Sequence, residues 1–317
     1  MSEVGISRHL VDPDLLPLLD ALPTVTITHE NLAELRAREL PFPLMDDGGV
    51  RLEERDVPGP DGSPPVPVRI YRPVQAARPP GCIFHIHGGG FVGGSAREVE
   101  FLHRPLAAQL QCVIVTVDYR LAPETCFPWN LEDCYAALAW TFGHAEEIGV
   151  DPALIGVMGE SAGGGLAAAL ALLVRDRGEY RLAFQHLTYP MIDDRTCLAD
   201  RNPMAGEFIW TRHSNRFGWS ALLGHEPGRE DVSPYAAPAR AQQLEKLPPT
   251  FISTAALDLF VDEDIDYAQR LIRAGVPTEL HVWPGAFHGF DLMPGVPVAD
   301  AARRASTEAL RRFLKQD

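Results

Sequence analysis

The sequence has no long hydrophobic run. Its longest apolar stretch, residues 166–174, is far too short to span a bilayer, so no stable membrane association is expected. The opening residues 1–14 carry Glu3, Asp12 and Asp14 without an apolar core, which argues against a secretory signal. Basic runs are absent: 28 Lys and Arg stand against 43 Asp and Glu, a formal net charge of −15. Phosphate binding needs clustered cations, so nucleic acid is not an expected partner. The five cysteines are scattered, odd in number and without C-x-x-C spacing, a pattern that suits reduced thiols and a cytoplasmic location. Cys82 and Cys112 lie within apolar strand-like runs and read as core fillers. Internal repeats and low-complexity tracts are missing as well.

What is present is a chain of 317 residues, 46% hydrophobic and 22% charged, enough for one large α/β domain with insertions or for two domains. Two short helical patterns, residues 14–22 and 28–40, open it, with Thr28 placed to cap the second and Pro41 and Pro43 ending it. Strands are expected over 50–57 and 66–71, joined by a Pro-Gly-Pro-Asp-Gly turn at 58–62; Val66, Val68 and Ile70 alternate with Pro67, Arg69 and Tyr71. Strands at 82–86, 113–117, 153–158 and 184–189 then alternate with helices at 98–110, 131–142 and 166–175. Continuous apolar strands between helices predict a mostly parallel sheet buried on both faces. Residues 193–224 break the rhythm. They are rich in charge and aromatics and read as an inserted helical element. The alternation resumes with strands at 250–254 and 279–283 and helices at 265–274 and 299–314.

Residues 159–164 read Gly-Glu-Ser-Ala-Gly-Gly and contain G-x-S-x-G between an expected strand and an expected helix. That setting makes the motif a nucleophile elbow, with Ser161 projecting above the sheet at a helix N-terminus. The plainer alternative is a Gly-rich packing turn. A serine hydroxyl needs a base, a group to orient that base, and N–H donors for an oxyanion. His288 lies in a Gly-bounded loop just beyond the last strand and can be brought over the sheet as the base; a surface loop histidine, one of eleven, is the alternative. Asp258 follows strand 250–254 at its carboxyl end, where functional groups gather in open α/β sheets. Its neighbours Asp262, Glu263 and Asp264 fall at the start of a helix, where acids favour the dipole. For the oxyanion, His87-Gly88-Gly89-Gly90 follows a strand, and the N–H of Ala162 follows the serine. The chain order Ser, Asp, His is that of an α/β-hydrolase sheet.

Together these residues resemble the hormone-sensitive-lipase-like family of α/β-hydrolases, the bacterial esterases with an H-G-G-G signature. Residues 87–90 match H-G-G-G, 159–164 are similar to G-D-S-A-G-G, 258–263 to D-P-L-R-D-E, 288–290 to H-G-F, and 119–124 to Y-R-L-A-P-E. The resemblance spans residues 46–317. It implies an α/β-hydrolase fold under a helical cap: residues 1–45 and 193–225 as cap, 46–192 and 226–317 as core. It implies hydrolysis of short- to medium-chain carboxylic esters through Ser161, Asp258 and His288, with no cofactor. Oxyanion donors would be Gly89, Gly90 and Ala162, with His87, Gly88 and Glu160 supporting the loop. Phe208, Trp210 and Phe217 are candidates to line the acyl or alcohol pocket from the cap, with packing inside the cap as the alternative. Two residues depart from the family spelling: Glu160, where Asp is usual, and Gly165, where Asn is common. G-E-S-A-G-G occurs in type-B carboxylesterases, which are much longer chains and use Glu as the triad acid.

Other readings stay open at this point. His85-x-His87 on a strand presents two imidazoles to one face, the spacing of a metal-dependent hydrolase. A small-molecule receptor can keep the serine and lose the histidine, but here His288 is present. An amidase, lactonase or acyltransferase would use the same acyl-enzyme. A homodimer would pair through an edge strand or the last helix.

Overall fold

The computed structural model describes residues 6–21, 24–38, 49–60, 62–74, 80–198 and 202–315. The expected hairpin forms from β1 (Val50–Val57) and β2 (Val66–Pro73), antiparallel, with Val57 opposite Val66. Five further strands, β3 (Cys82–Ile86), β4 (Val113–Val117), β5 (Ile155–Glu160), β6 (Gln185–Thr188) and β7 (Thr250–Ala255), are buried along their length save Glu160 at the end of β5. The last, β8 (Thr278–Trp283), is half-exposed because it pairs on one side only, with β7. The order across the sheet is β1-β2-β4-β3-β5-β6-β7-β8. β2 joins β4 antiparallel, and every pairing from β4 to β8 is parallel.

Side chains along each central strand point alternately to two helix layers. Cys82, Phe84 and Ile86 share a core with Leu131, Leu138 and Leu170 of α4 (Trp129–Gly143) and α6 (Ala162–Arg177). Ile83 and Met158 face the other way, into a core with Ala107 and Leu110 of α3 (Glu100–Leu110) and Leu310 of α9 (Pro297–Phe313). Cys82 and Cys112 are buried in these two cores. α6 is buried from Ala162 through Val174, which explains why its sequence has no polar face there.

Several boundaries differ from the sequence reading, among them the start of the helix expected at 265, which is Val261, and three differ for evident local reasons. The helix expected at 28–40 is the short α2 (Leu32–Arg36), since the Asn31 side chain accepts the Thr28 N–H and Thr28 stands upstream of the cap; residues 39–40 lie outside the described residues. Strand β5 starts at Ile155, because Pro152 and the Asp151 carboxylate shape residues 152–154 into a 3₁₀ turn. Helix α6 starts at Ala162 rather than 166. Gly163, Gly164 and Gly165 are poor helix formers, yet here they form its first turn. The short α5 (Ala145–Ile148) was not legible in the sequence.

The first described segments are tied to the inserted one. α1 (Leu16–Ala21) and the chain after it meet residues 202–224, which hold α7 (Arg212–Leu223). The Ser7 N–H donates to Glu207, Ile209 N–H to Thr24 Oγ1 (3.1 Å) and Ile27 N–H to Ser214 Oγ (3.2 Å). α8 (Val261–Arg273) packs on β7 and β8. Among the described residues no helix is long and apolar enough to cross a membrane.

Candidate active site

Ser161 joins the end of β5 to α6 with φ +56° and ψ −124°, a backbone state that costs a non-glycine residue about 1–3 kcal/mol. Its neighbours hold it there. Ser161 N–H donates to the Thr188 carbonyl (2.9 Å), and its own carbonyl accepts from Met191 (2.9 Å) and Gly165 (3.0 Å). Closeness explains the glycines: a Cβ on Gly159 would lie 2.3 Å from the Gly163 carbonyl oxygen, and one on Gly163 would lie 2.0 Å from that of Ile86. Gly165 has the same reason, since its Cβ would lie 2.1 Å from the Met191 oxygen.

The loops after β7 and β8 bring the other two groups to the serine. His288 Nε2 lies 3.0 Å from Ser161 Oγ, and His288 Nδ1 lies 2.7 Å from Asp258 Oδ2. The second Asp258 oxygen accepts the Phe260 N–H at 3.0 Å. With the proton on Nδ1 shared with Asp258, Nε2 is left to accept from the serine hydroxyl. All three side chains are buried. The Leu257 N–H donates to the Ala286 carbonyl (2.9 Å), so the two loops are joined. Rings of Tyr189, Phe260 and Trp210 surround the imidazole at 4.6, 5.4 and 6.3 Å.

The acids beside Asp258 behave differently from a simple dipole effect. Glu263 is buried and accepts the N–H groups of Ile192 (2.7 Å) and Asp193 (3.0 Å), and Asp264 is buried too. Burial pushes both carboxyls well above the usual range, and the Asp193 and Glu263 charges respectively add to it. Glu263 thus anchors the chain after β6. Of the three, Asp262 alone is exposed on the helix start.

The His87-Gly88-Gly89-Gly90 loop lies beside the serine. Gly89 has φ +115° and Gly90 φ +62°. A Cβ on Gly89 would lie 2.1 Å from the Gly93 oxygen, and one on Gly90 would lie 2.1 Å from the Trp210 ring. Among the described residues, none accepts a hydrogen bond from the N–H of Gly89, Gly90 or Ala162. His87 bonds the Gly88 carbonyl through Nδ1 (2.8 Å) and stacks on Tyr119 at 4.4 Å, whose hydroxyl donates back to the His87 carbonyl (3.1 Å). A Cβ on Gly88 would lie 3.0 Å from the Glu160 oxygen. His85 does not pair with His87: its Nε2 lies 2.7 Å from Glu160 Oε2. No group of three or more His, Cys, Asp or Glu among the described residues could hold a metal ion.

Glu160 points to the face opposite the α4 and α6 layer, as Met158 does two residues earlier. Burial raises its carboxyl from 4.5 to about 8 and lowers His85 to about 3. His85 is therefore neutral. A proton on Nε2 bonds Glu160 and leaves Nδ1, which has no partner, a bare acceptor rather than an orphaned donor. The folded state holds the Glu160 proton more tightly than the unfolded chain. Its contribution to stability is therefore full below about 4.5 and lost as pH rises through about 8. Glu160→Gln removes that dependence, so the melting temperature of the wild type is expected to fall relative to the variant between about pH 5 and about pH 8.5. A constant difference across that range would contradict the assignment.

A cavity of about 340 Å³ abuts the loop at 87–90, walled by Val25, Ile27, Leu32, Leu35, Ile209 and Trp210 together with Gly89. Trp210 is held by its indole N–H on Asn215 Oδ1 (3.2 Å). The other two aromatics singled out in the sequence do not line this cavity. Phe208 packs on Phe287 with Leu15, Leu18 and Leu19, and Phe217 lies edge-on to His29 at 4.9 Å. Both fill contacts between the N-terminal and inserted segments, so packing accounts for them. The aliphatic wall from residues 25–35 was missed because Leu32 and Leu35 look like ordinary helix-core positions, and Val25 and Ile27 lie in the irregular stretch before them. Arg36 ties this wall to the chain after the loop at 87–90, donating to the carbonyls of Val92 (2.6 Å) and Ala122 (2.8 Å) and to Glu124.

Comparison with known proteins points to one family. A family model described as the α/β-hydrolase fold matches residues 83–292. Carboxylesterase NlhH of Mycobacterium tuberculosis is 37% identical over 99% of both chains. The chain belongs to the hormone-sensitive-lipase-like family of α/β-hydrolases. Esterase LipI of the same organism is 35% identical over 96% of this chain and 95% of its own. Among solved structures, one titled Bacterial Heroin Esterase superposes with a TM-score of 0.88 at 39% identity, over 97% of this chain and 99% of that one. The family is one of serine esterases, and this chain is an enzyme of that class.

Proposed function

We propose that this enzyme hydrolyses short- to medium-chain carboxylic esters through an acyl-enzyme on Ser161. One observation carries the reading: the unbroken chain from Ser161 Oγ through His288 to Asp258, beside free N–H groups of Gly89, Gly90 and Ala162. Ser161 Oγ attacks the ester carbonyl as His288 Nε2 takes its proton. The three N–H groups hold the oxyanion, worth on the order of 3 kcal/mol per donor. Asp258 stabilises the imidazolium. His288 then protonates the departing alcohol. Water next attacks the acyl carbonyl as His288 Nε2 takes its proton, and the second tetrahedral intermediate collapses by breaking the bond to Ser161 Oγ, which regains the proton from His288 as the acid is released.

The N-terminal segment and residues 193–225 act as a cap over this site, and residues 46–192 and 226–317 as its core. The cap's hydrogen bonds between Ile27 and Ser214 and between Ile209 and Thr24 support that division. The cavity beside Gly89 takes the apolar part of the ester, and its modest volume favours short and medium chains. The relatives named as carboxylesterase and esterase favour the same reaction.

A chain-length series of p-nitrophenyl esters tests this reading. Activity is expected to peak at short or medium acyl chains and to be absent from Ser161→Ala at every length. Leu35→Phe narrows the cavity and should cut kcat/KM for the longest accepted ester roughly tenfold or more relative to the acetate. Equal activity across all lengths in both wild type and Leu35→Phe would remove the cavity from the account. No hydrolysis of any ester by the wild type would overturn the function.

A further inference from the structure

Tyr189 follows β6 with φ +34°, a left-handed backbone value unusual for an aromatic residue, and strain of this kind persists only where surroundings enforce it. Its N–H is held by the Ser253 carbonyl at 2.6 Å. The effect is to set the phenol ring against the imidazole of His288, centroids 4.6 Å apart and planes tilted 56°. The hydroxyl reaches beyond the histidine and donates to Asp291 Oδ1 at 2.7 Å. Asp291 sits three residues after His288 in a 3₁₀ turn (Phe290–Leu292), so this bond closes a small ring from the histidine loop back to the histidine. The turn itself is pinned by Arg303 of α9, which donates to the carbonyls of Asp291 and Met293. Burial, and then the Asp291 charge, hold the Tyr189 hydroxyl well above its ordinary value, so it stays a donor.

We propose that Tyr189 and Asp291 form a positioning pair for His288: the ring seats one face of the imidazole, and the hydroxyl anchored on Asp291 keeps it there while the imidazolium forms. This rests on the reading of His288 as the general base. The 4.6 Å separation lies within the range at which an aromatic ring attracts a cation, so a held ring steadies the imidazolium as the serine proton arrives. The charged and titratable groups around that imidazole are Asp258 on Nδ1, Ser161 on Nε2, Asp291 behind Tyr189, and Glu160 at the end of β5; Arg303 reaches the turn from α9. Phe260 and Trp210 complete the enclosure without charge.

The test is the pH profile of kcat and kcat/KM for p-nitrophenyl acetate with wild type, Tyr189→Phe, Asp291→Asn and the double variant. Tyr189→Phe keeps the ring and loses the anchor; Asp291→Asn keeps an acceptor and loses the charge. Tyr189→Phe is expected to lower kcat roughly tenfold, with KM within about twofold. The acid limb of kcat/KM moves to lower pH in both single variants. The double variant is no slower than Tyr189→Phe, because both changes break one device. A purely structural role would lower the melting temperature without moving the limb. Wild-type kcat and acid limb in both single variants would overturn the proposal, as would fully multiplicative losses in the double variant. If the wild type itself hydrolysed no ester, the reading of His288 would fail first; if it did and the variants matched it, the pairing alone would fail.

Discussion

Ser161→Ala is expected to abolish ester hydrolysis while leaving the fold intact. Loss of the nucleophile in a serine hydrolase costs on the order of 10⁶-fold in kcat, and what remains comes from the oxyanion donors and binding. The variant keeps a Cβ at the strained φ +56° position, so no new backbone strain arises. It deletes one hydrogen bond, to His288 Nε2. Its melting temperature should therefore stay close to that of the wild type, and its activity loss belongs to the missing oxygen. A variant that retained a tenth of wild-type kcat would place the nucleophile elsewhere.

Gly89→Ala is the second large effect, and it reaches the site without touching the three side chains. At φ +115° no L-residue is comfortable, and the new methyl would lie 2.1 Å from the Gly93 oxygen, 2.4 Å from its carbon and 2.9 Å from Gly94 N. All three are backbone atoms of the same loop, so relief requires the loop to move. Moving it takes the Gly89 and Gly90 N–H groups off the oxyanion, a loss of about 10²–10³-fold in kcat. Burst and steady-state kinetics should show slowed acylation, with KM affected less. Gly178→Ala is the matched control: it carries φ +69° at the end of α6, with nothing within 4 Å of its new Cβ. That variant should lose a little stability and no activity. Gly89→Ala with wild-type kcat would remove this loop from the mechanism.

These effects also show which parts of the site a sequence can carry. Ser161, Asp258 and His288 were legible because each falls just past a strand end, and the parallel sheet gathers those ends at one edge. The glycines were legible as turn residues, but their reasons are non-local. Gly163 faces the Ile86 carbonyl from another strand, and Gly165 faces Met191, contacts with no signature along the chain. The same holds for Tyr189 and Asp291, one after β6 and one after β8, joined by a bond between residues 102 positions apart. Glu263 looked like a helix-start acid because its first-turn position satisfies that rule; its bonds to Ile192 and Asp193 depend on the chain beyond β6 passing the first turn of α8. The cavity wall of Val25, Ile27, Leu32 and Leu35 was hidden because neither the two aliphatic residues before α2 nor the two within it carry any mark of what they meet across the chain.

Ser161 is expected to carry the acyl group between the two halves of the reaction. Rapid-quench mass spectrometry of the enzyme mixed with p-nitrophenyl acetate measures this directly. One acetyl group is expected on the peptide containing Ser161, formed with the burst of p-nitrophenol and lost as acetate appears, and absent in Ser161→Ala. Turnover without an adduct at Ser161, or an acetyl group at another residue with the kinetics of the burst, would contradict the account.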